Sequence, residues 1–165
     1  MHTAYNNEIY VLGFTYSTIM EFNWNKQYFI KGKYKNFSVV DSMDFTKDNP
    51  IQRWGIGELI KGLNGKLYSR GPRGLYEWNE TEWKNFHQQI YHWGLYVYSD
   101  KFILTLGTSG AEYFDGEKWI DLGLTTLNKY KDVTFRAAWT DGKELFLIGN
   151  TFDSYPQKTI VLHGK

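Results

Sequence analysis

The chain has 165 residues, a formal net charge of +1 and no cysteine. This balanced charge gives no general attraction to nucleic acid or anionic membranes, and the lack of cysteine excludes disulfides, cysteine-ligated zinc and thiol catalysis. No apolar run approaches the length of a membrane span, and residues 1–20 lack the basic start of a secretory signal. We therefore expect one domain that associates with neither nucleic acid nor membranes. The expected location is cytoplasmic or virion-associated, and a secreted protein whose signal has been removed is the alternative.

The first 35 residues predict a β-sheet unit that is looser than the units after it. Its strands are expected at Ile9–Leu12, Thr18–Trp24 and Gln27–Ile30, with a turn at Asn25 and Lys26. Met1–Tyr5 is a candidate for an additional strand. Residues 36–50 are polar and irregular, and we expect a connection there.

Three further units follow, at residues 51–88, 89–124 and 125–165, and each alternates short apolar runs with turns. The strongest hairpin signals are Asn64-Gly65, Asp115-Gly116 and Asp141-Gly142. The last unit has strands at Thr134–Trp139, Leu145–Ile148 and Thr159–Leu162, one fewer than the units before it. The pattern predicts an all-β protein of about 14 strands with almost no helix, organised as four blade-like antiparallel sheets of a small or partial β-propeller.

An internal repeat relates the second and third of these units without a gap. Gly71, Gly74, Trp78, Asn79 and Trp83 align with Gly107, Gly110, Phe114, Asp115 and Trp119, 36 residues later. The paired glycines are interpreted as residues that take a positive φ in a tight reversal. Because Trp83 and Trp119 occupy the same place in the repeat, they are expected to be equivalent and largely buried.

The repeat resembles the blades of kelch-type propellers and of the central domain of galactose oxidase. In those blades an apolar strand ends in glycine, and a tyrosine and then a tryptophan follow. The matching positions are Gly107, Tyr113 and Trp119 in one unit, and Gly71, Tyr76 and Trp83 in the other. The chain has a single glycine where those families have two. The resemblance implies a propeller-like stack of sheets, and it carries over no copper site or radical chemistry because the chain has no cysteine.

Residues suited to catalysis or metal binding do not form a recognisable motif. The four histidines (His2, His87, His92 and His163) lack the spacing that places two ligands on one face, so we predict no metal site and no cofactor. Carboxylates cluster on two hairpins, at Asp115, Glu117 and Asp121 and at Glu77, Glu80 and Glu82. A glycosidase needs two carboxylates across a sugar, whereas carboxylates at hairpin turns usually stabilise the turn. We interpret these residues as turn formers, and substitution of Glu112 or Asp115 would test for hydrolysis.

Candidate binding residues lie in loops where the predicted innermost strands begin, because propellers bind with the loops of one face. At each such loop an aromatic residue adjoins a basic or imidazole group, a combination typical of interface anchors. The rigid turn at Pro72 and Arg73 is a second candidate. The predicted binding residues are Arg53, Trp54, Arg73, His92, Trp93, Arg136 and Trp139.

Three functions compete for this chain. The leading prediction is a non-catalytic module that recognises another protein, because a repeat scaffold presents aromatic and basic loop residues and lacks a catalytic motif. The alternative is a carbohydrate-binding module, for example in a phage tail, because tryptophan and tyrosine are abundant beside asparagine and aspartate turns. The third is a glycan-cleaving enzyme.

The first and last units each predict an open sheet edge. Unpaired strand edges favour association with another strand. We therefore expect either that the ring closes on itself or that a second copy or another partner covers the ends, and a homo-oligomer or larger assembly is favoured.

Overall fold

The computed structural model describes residues 2–5, 7–16, 24–33, 36–44, 58–71, 74–88, 91 and 93–164. These residues form 15 β-strands and one 3-10 turn at Asn128–Tyr130, and they contain no α-helix. Nothing helical in these ranges is long and apolar enough to span a bilayer. The all-β prediction is confirmed.

The strands form four antiparallel sheets in which neighbours along the chain are neighbours in the sheet. Sheet 1 consists of β1 (His2–Tyr5), β2 (Glu8–Tyr16), β3 (Trp24–Lys33) and β4 (Asn36–Asp44). Sheet 2 consists of β5 (Glu58–Lys61), β6 (Leu67–Gly71), β7 (Gly74–Trp78) and β8 (Trp83–His87). Sheet 3 consists of β9 (Gly94–Ser99), β10 (Phe102–Gly107), β11 (Gly110–Phe114) and β12 (Trp119–Asp121). Sheet 4 consists of β13 (Val133–Thr140), β14 (Leu145–Thr151) and β15 (Thr159–Gly164). The four predicted sheets are thus present, and their arrangement as a propeller stays a prediction.

The chain divides into two compact units. The first comprises Met1–Lys61 and Gly65–Gln88, and the second comprises Gly62–Asn64 and Gln89–Lys165. In the first unit, sheets 1 and 2 bury a common core of Tyr10, Leu12, Phe29, Leu59, Leu67, Tyr76, Trp78 and Trp83. In the second unit, sheets 3 and 4 bury a core of Leu104, Leu106, Ala111, Leu127, Val133, Phe135 and Leu147. Each unit is therefore a pair of sheets packed face to face.

The three predicted hairpin glycines take the backbone conformation that their turns require. Gly65, Gly116 and Gly142 have φ values of 82°, 101° and 92°. A side chain is disfavoured at such angles, so glycine at these positions fixes where each chain reversal occurs.

Sheet 1 differs from its predicted form. Residues 36–44 of the predicted connection form β4, and the predicted turn at Asn25 and Lys26 lies inside β3. For β4 the physical reason is a register shift opposite Phe29 and Ile30, which breaks the alternation expected of a strand. The predicted turn coincides with another register shift, between Thr15 and Tyr16 of β2, where Asn25 is the extra residue of β3. The remainder of that connection, residues 45–50, lies outside the described residues. The strand suggested near the start is β1, which pairs with β2.

The repeated tryptophans occupy equivalent places with different burial. Trp83 pairs with Trp78 across β7 and β8, and Trp119 pairs with Phe114 across β11 and β12. Trp83 is only 8% exposed, whereas Trp119 is half-buried. The expectation of two largely buried rings is therefore wrong for Trp119. Sheet 1 covers the Trp83 face within the first unit, whereas sheet 4 covers the face of sheet 3 opposite to Trp119.

Candidate functional site

Two of the predicted binding residues meet at the surface of the second unit. The guanidinium carbon of Arg136 lies 5.3 Å from the centre of the Trp93 ring. Trp93 is 57% exposed, and Arg136 is exposed as well. At this distance the cation interacts favourably with the face of the indole ring. We call these two residues the Trp93–Arg136 pair.

The backbone on both sides of the Trp93–Arg136 pair is closely fitted. The Trp93 N–H donates to the carbonyl oxygen of Leu106 at 2.7 Å. The next residue is Gly94, where a Cβ atom would lie 2.9 Å from the Arg136 carbonyl oxygen. The absence of a side chain at Gly94 therefore lets the start of β9 approach β13 closely enough for the ring and the guanidinium to meet.

A β-bulge determines the position of Arg136. The pairing of β13 with β14 shifts register between Phe135 and Ala137, so Arg136 is the extra residue. Phe135 is fully buried and Arg136 is exposed. Bulges re-aim side chains and are frequent beside functional sites. Arg136 lies within β13, in agreement with the predicted strand at Thr134–Trp139 and not in the loop expected of a binding residue. The bulge turns its side chain outward there.

The other predicted binding residues do not join the Trp93–Arg136 pair. Trp139 is exposed and packs on Phe146 with 5.9 Å between ring centres. Phe146 in turn stacks on His163, with a centroid distance of 4.4 Å. Trp139 thus belongs to the outer face of sheet 4. Four predicted residues lie outside the described part of the chain, namely Arg53, Trp54, Arg73 and His92.

Tyr91 accounts for the repeated glycines of sheet 3 better than positive φ does. The positive φ in this turn belongs to Ser109, at 66°. A Cβ on Gly107 would instead lie 2.8 Å from the Cβ of Tyr91, and one on Gly110 or Gly123 would overlap the Tyr91 hydroxyl. The glycines therefore form the seat for this ring. The interpretation as positive-φ residues is wrong for Gly107 and Gly110, while Gly74 in the earlier repeat has a φ of 122°.

The Tyr91 hydroxyl is engaged by a carboxylate. It donates to Asp121 Oδ1 at 3.0 Å. Burial, together with this hydrogen bond and the charges of Asp121 and Glu112, raises the pKa of Tyr91 to about 12. Tyr91 therefore stays protonated at neutral pH and acts as a donor.

The carboxylates of sheet 3 are occupied by structural hydrogen bonds. Asp121 Oδ1 accepts from the backbone N–H of Gly123 at 2.8 Å as well as from Tyr91. Glu112, which is directly opposite Asp121 in the sheet, is 3% exposed and accepts from the Thr105 hydroxyl at 3.1 Å. These contacts hold strands and turns together. Within the described residues, no three potential metal ligands come together.

Asp115 and Asn79 make the same local hydrogen bonds in equivalent turns of the repeat. Asp115 Oδ1 accepts from the backbone N–H groups of Glu117 and Lys118 at 2.9 and 3.0 Å. Asn79, at the same place in the earlier repeat, accepts from Thr81 and Glu82 in the same way. The N–H donors of Lys118 and then Glu117 lower the pKa of Asp115 below its ordinary value of 3.8. An amide oxygen in one repeat and a carboxylate oxygen in the other thus perform the same task.

Replacing Asp115 with alanine is expected to lower the melting temperature, because two backbone donors lose their acceptor. Asp115→Asn is the matched control and should retain most of the stability, as Asn79 does in its own turn. Since the folded pKa lies below the unfolded one, the contribution of the charge is present above about pH 4 and is lost as pH falls through the folded pKa. The wild-type melting temperature should therefore approach that of Asp115→Asn in acid. A difference that grows below pH 4 would contradict the assignment.

The second unit contains a cleft that the sequence analysis did not predict. A cleft of about 410 Å³ lies between sheet 4 and the segment before β13, and its apolar walls include Leu122, Leu127, Tyr130, Leu145, Leu147 and Leu162. Its volume is in the range of small-ligand sites. Lys129 and His163 also line it. The sequence signal was the run of leucines from Leu122 to Leu127, which reads as an ordinary loop unless sheet 4 is known to lie beside it.

No family model matches this chain, and neither does a curated protein or a solved structure. The resemblance to kelch-type blades therefore stays a prediction from the repeat.

Proposed function

We propose that this protein is a non-catalytic binding module that recognises another protein through the Trp93–Arg136 pair. The observation that supports the proposal is an exposed indole ring held beside an exposed guanidinium by the closely fitted backbone at Gly94 and the bulge at Arg136. Tryptophan and arginine are among the residues enriched at the energetic centres of protein interfaces.

The chemistry of the pair defines the partner sought. The indole supplies a large apolar surface with few rotatable bonds, so little conformational entropy is lost when it is covered. The guanidinium binds carboxylates with paired hydrogen bonds. The expected partner therefore presents an acidic side chain next to an apolar or aromatic one.

The test is selection of displayed peptides on the full-length protein, followed by measurement of affinity for the selected sequences. We expect acidic-aromatic peptides to be enriched, and Trp93→Ala to weaken their binding by about 30-fold or more. Arg136→Lys is the matched control for charge, because it keeps the cation but removes the planar group, and it should also weaken binding. Leu63→Ala alters an exposed apolar residue outside the pair and should leave binding unchanged.

Two outcomes would count against protein recognition. Equal peptide binding by wild type and Trp93→Ala would show that the pair is not the site. Binding on a glycan array that disappears in Trp93→Ala, with no selected peptide, would replace the proposal with the carbohydrate-binding alternative.

A further inference from the structure

The repeat identifies equivalent faces in the four sheets, so the burial of one face can be compared with that of its equivalents. A glycine in the second strand of each sheet aligns the four sheets, at Gly13, Gly71, Gly107 and Gly149. Counting from this glycine and following the strand pairing identifies equivalent residues on equivalent faces. Two of the faces identified in this way are buried, and their equivalents in other sheets are exposed.

The outer face of sheet 4 is equivalent to a buried face of sheet 3. In sheet 3, Leu106 and Ala111 are opposite each other and lie in the core against sheet 4. In sheet 4 the same positions are occupied by Ile148 and Val161. Leu106 is 1% exposed, whereas Ile148 is 43% and Val161 is 59% exposed. Sheet 4 therefore has an apolar face of a kind that another sheet covers in this molecule.

The outer face of sheet 1 has the complementary property. In sheet 2, Leu67 and Trp83 lie on the face buried against sheet 1. In sheet 1 the same positions are occupied by Ile9 and Phe37. Ile9 pairs with Gly32 of β3, and Gly32 pairs with Phe37 of β4. Ile9 and Phe37 are exposed, and so is Val39, which pairs with Ile30 beside them. This face thus corresponds to the one that receives a neighbouring sheet in the first unit.

The exposed faces of sheets 4 and 1 are equivalent to the two faces that pack against each other within each unit. We call a face equivalent to that of Leu106 and Ala111 a face of the first kind, and one equivalent to that of Leu67 and Trp83 a face of the second kind. Sheet 1 packs on sheet 2, and sheet 3 packs on sheet 4, each by a face of the first kind against a face of the second kind. The outer face of sheet 4 is of the first kind, and the outer face of sheet 1 is of the second. We propose that the outer face of sheet 4 in one molecule packs against the outer face of sheet 1 in a second copy of this chain.

The exposure of the two faces and their complementary kinds support a second copy as the occupant. Both faces carry exposed large apolar side chains, Ile148 and Val161 on sheet 4 and Ile9, Phe37 and Val39 on sheet 1. Trp139, Ile148 and Val161 are 53%, 43% and 59% exposed and lie on the same face of sheet 4, so they form one apolar patch instead of scattered single residues. Each copy contributes one face of each kind, so the contact is head-to-tail, and repeated contacts produce either a closed ring or an open filament.

The experiment measures the mass of the full-length protein in solution over a range of concentrations. Wild type is expected to form species of two or more chains. Val161→Arg, on the sheet 4 face, and Val39→Arg, on the sheet 1 face, should each weaken self-association by about 100-fold or more, because a buried unpaired charge is strongly unfavourable. Both valines are exposed in the single chain, so the variants should fold, which circular dichroism checks. Leu63→Arg adds the same charge at an exposed position outside both faces and should associate like wild type.

Mixing the two variants distinguishes head-to-tail pairing from other contacts. Val161→Arg keeps an intact sheet 1 face and Val39→Arg keeps an intact sheet 4 face, so their equimolar mixture should associate although neither does alone. Wild type that stays monomeric at the highest concentration would overturn the proposal. So would strong self-association of either variant alone, which would mean that like faces pair with like.

Discussion

Replacing Trp83 with alanine is expected to destabilise the protein by about 3–5 kcal/mol, the range for large aromatic residues in a core. The ring lies 4.9 Å from Phe29 of sheet 1 and 5.4 Å from Trp78 of its own sheet, measured between centroids. Removing it leaves a cavity at the centre of the contact between sheets 1 and 2, and sheet packing prevents full collapse of that cavity.

Trp119 is the matched comparison because it occupies the same place in the repeat. Its ring is half-buried and packs on Phe114 at 5.3 Å. Trp119→Ala should therefore cost less, about 1–3 kcal/mol. Denaturant unfolding followed by circular dichroism measures both losses without depending on tryptophan fluorescence. Equal losses at the two positions would show that burial of the repeat tryptophan does not determine its contribution.

The parts of the fold that the sequence predicts well are those governed by local backbone chemistry. Asn64-Gly65, Asp115-Gly116 and Asp141-Gly142 each mark a hairpin because glycine alone takes a positive φ at little cost. Alternating apolar residues then locate the flanking strands. This information is contained within a few consecutive residues, so it survives without any knowledge of tertiary contacts.

β4 was missed because its pattern is interrupted and its apolar residues point to both sides. Phe37 and Val39 alternate with polar neighbours, but Val40 packs towards the core and breaks the period of two. The register shift opposite Ile30 permits this reversal. A bulge of this kind depends on the partner strand, so a single stretch of sequence does not disclose it.

The sequence predicts both residues of the candidate site, but it does not predict that they contact each other. An aromatic next to a basic residue identified Trp93 and Arg136 separately. Their contact depends on the approach of β9 to β13 and on the bulge after Phe135. These are tertiary features, and residues more than 40 positions apart have no local signal that pairs them.

The close packing of Tyr91 on Gly107 predicts a second large loss of stability. Gly107→Ala is expected to destabilise the protein by about 1–3 kcal/mol, since the new Cβ would lie 2.8 Å from the Cβ of Tyr91 and 3.1 Å from its Cα, where the backbone cannot easily yield. Gly13→Ala is the matched control, because Gly13 occupies the aligned position in β2 of sheet 1 and a Cβ there meets nothing within 4 Å. That variant should be neutral or slightly stabilising through the unfolded chain.

A double-mutant cycle shows whether the Tyr91 hydroxyl is what excludes side chains from this seat. A Cβ on Gly123 would overlap that hydroxyl, whereas its next contacts, with Asp121 and Ser109, are at 3.1 Å. Gly123→Ala should therefore destabilise wild type strongly and destabilise Tyr91→Phe much less, with a coupling of about 1 kcal/mol or more from unfolding measurements. Additive losses would mean that Gly123 is required by its own turn and not by the Tyr91 hydroxyl. If the coupling is found, Gly123 is retained for contact with the Tyr91 hydroxyl, and a costly Gly107→Ala beside a harmless Gly13→Ala would assign Gly107 to contact with the same tyrosine.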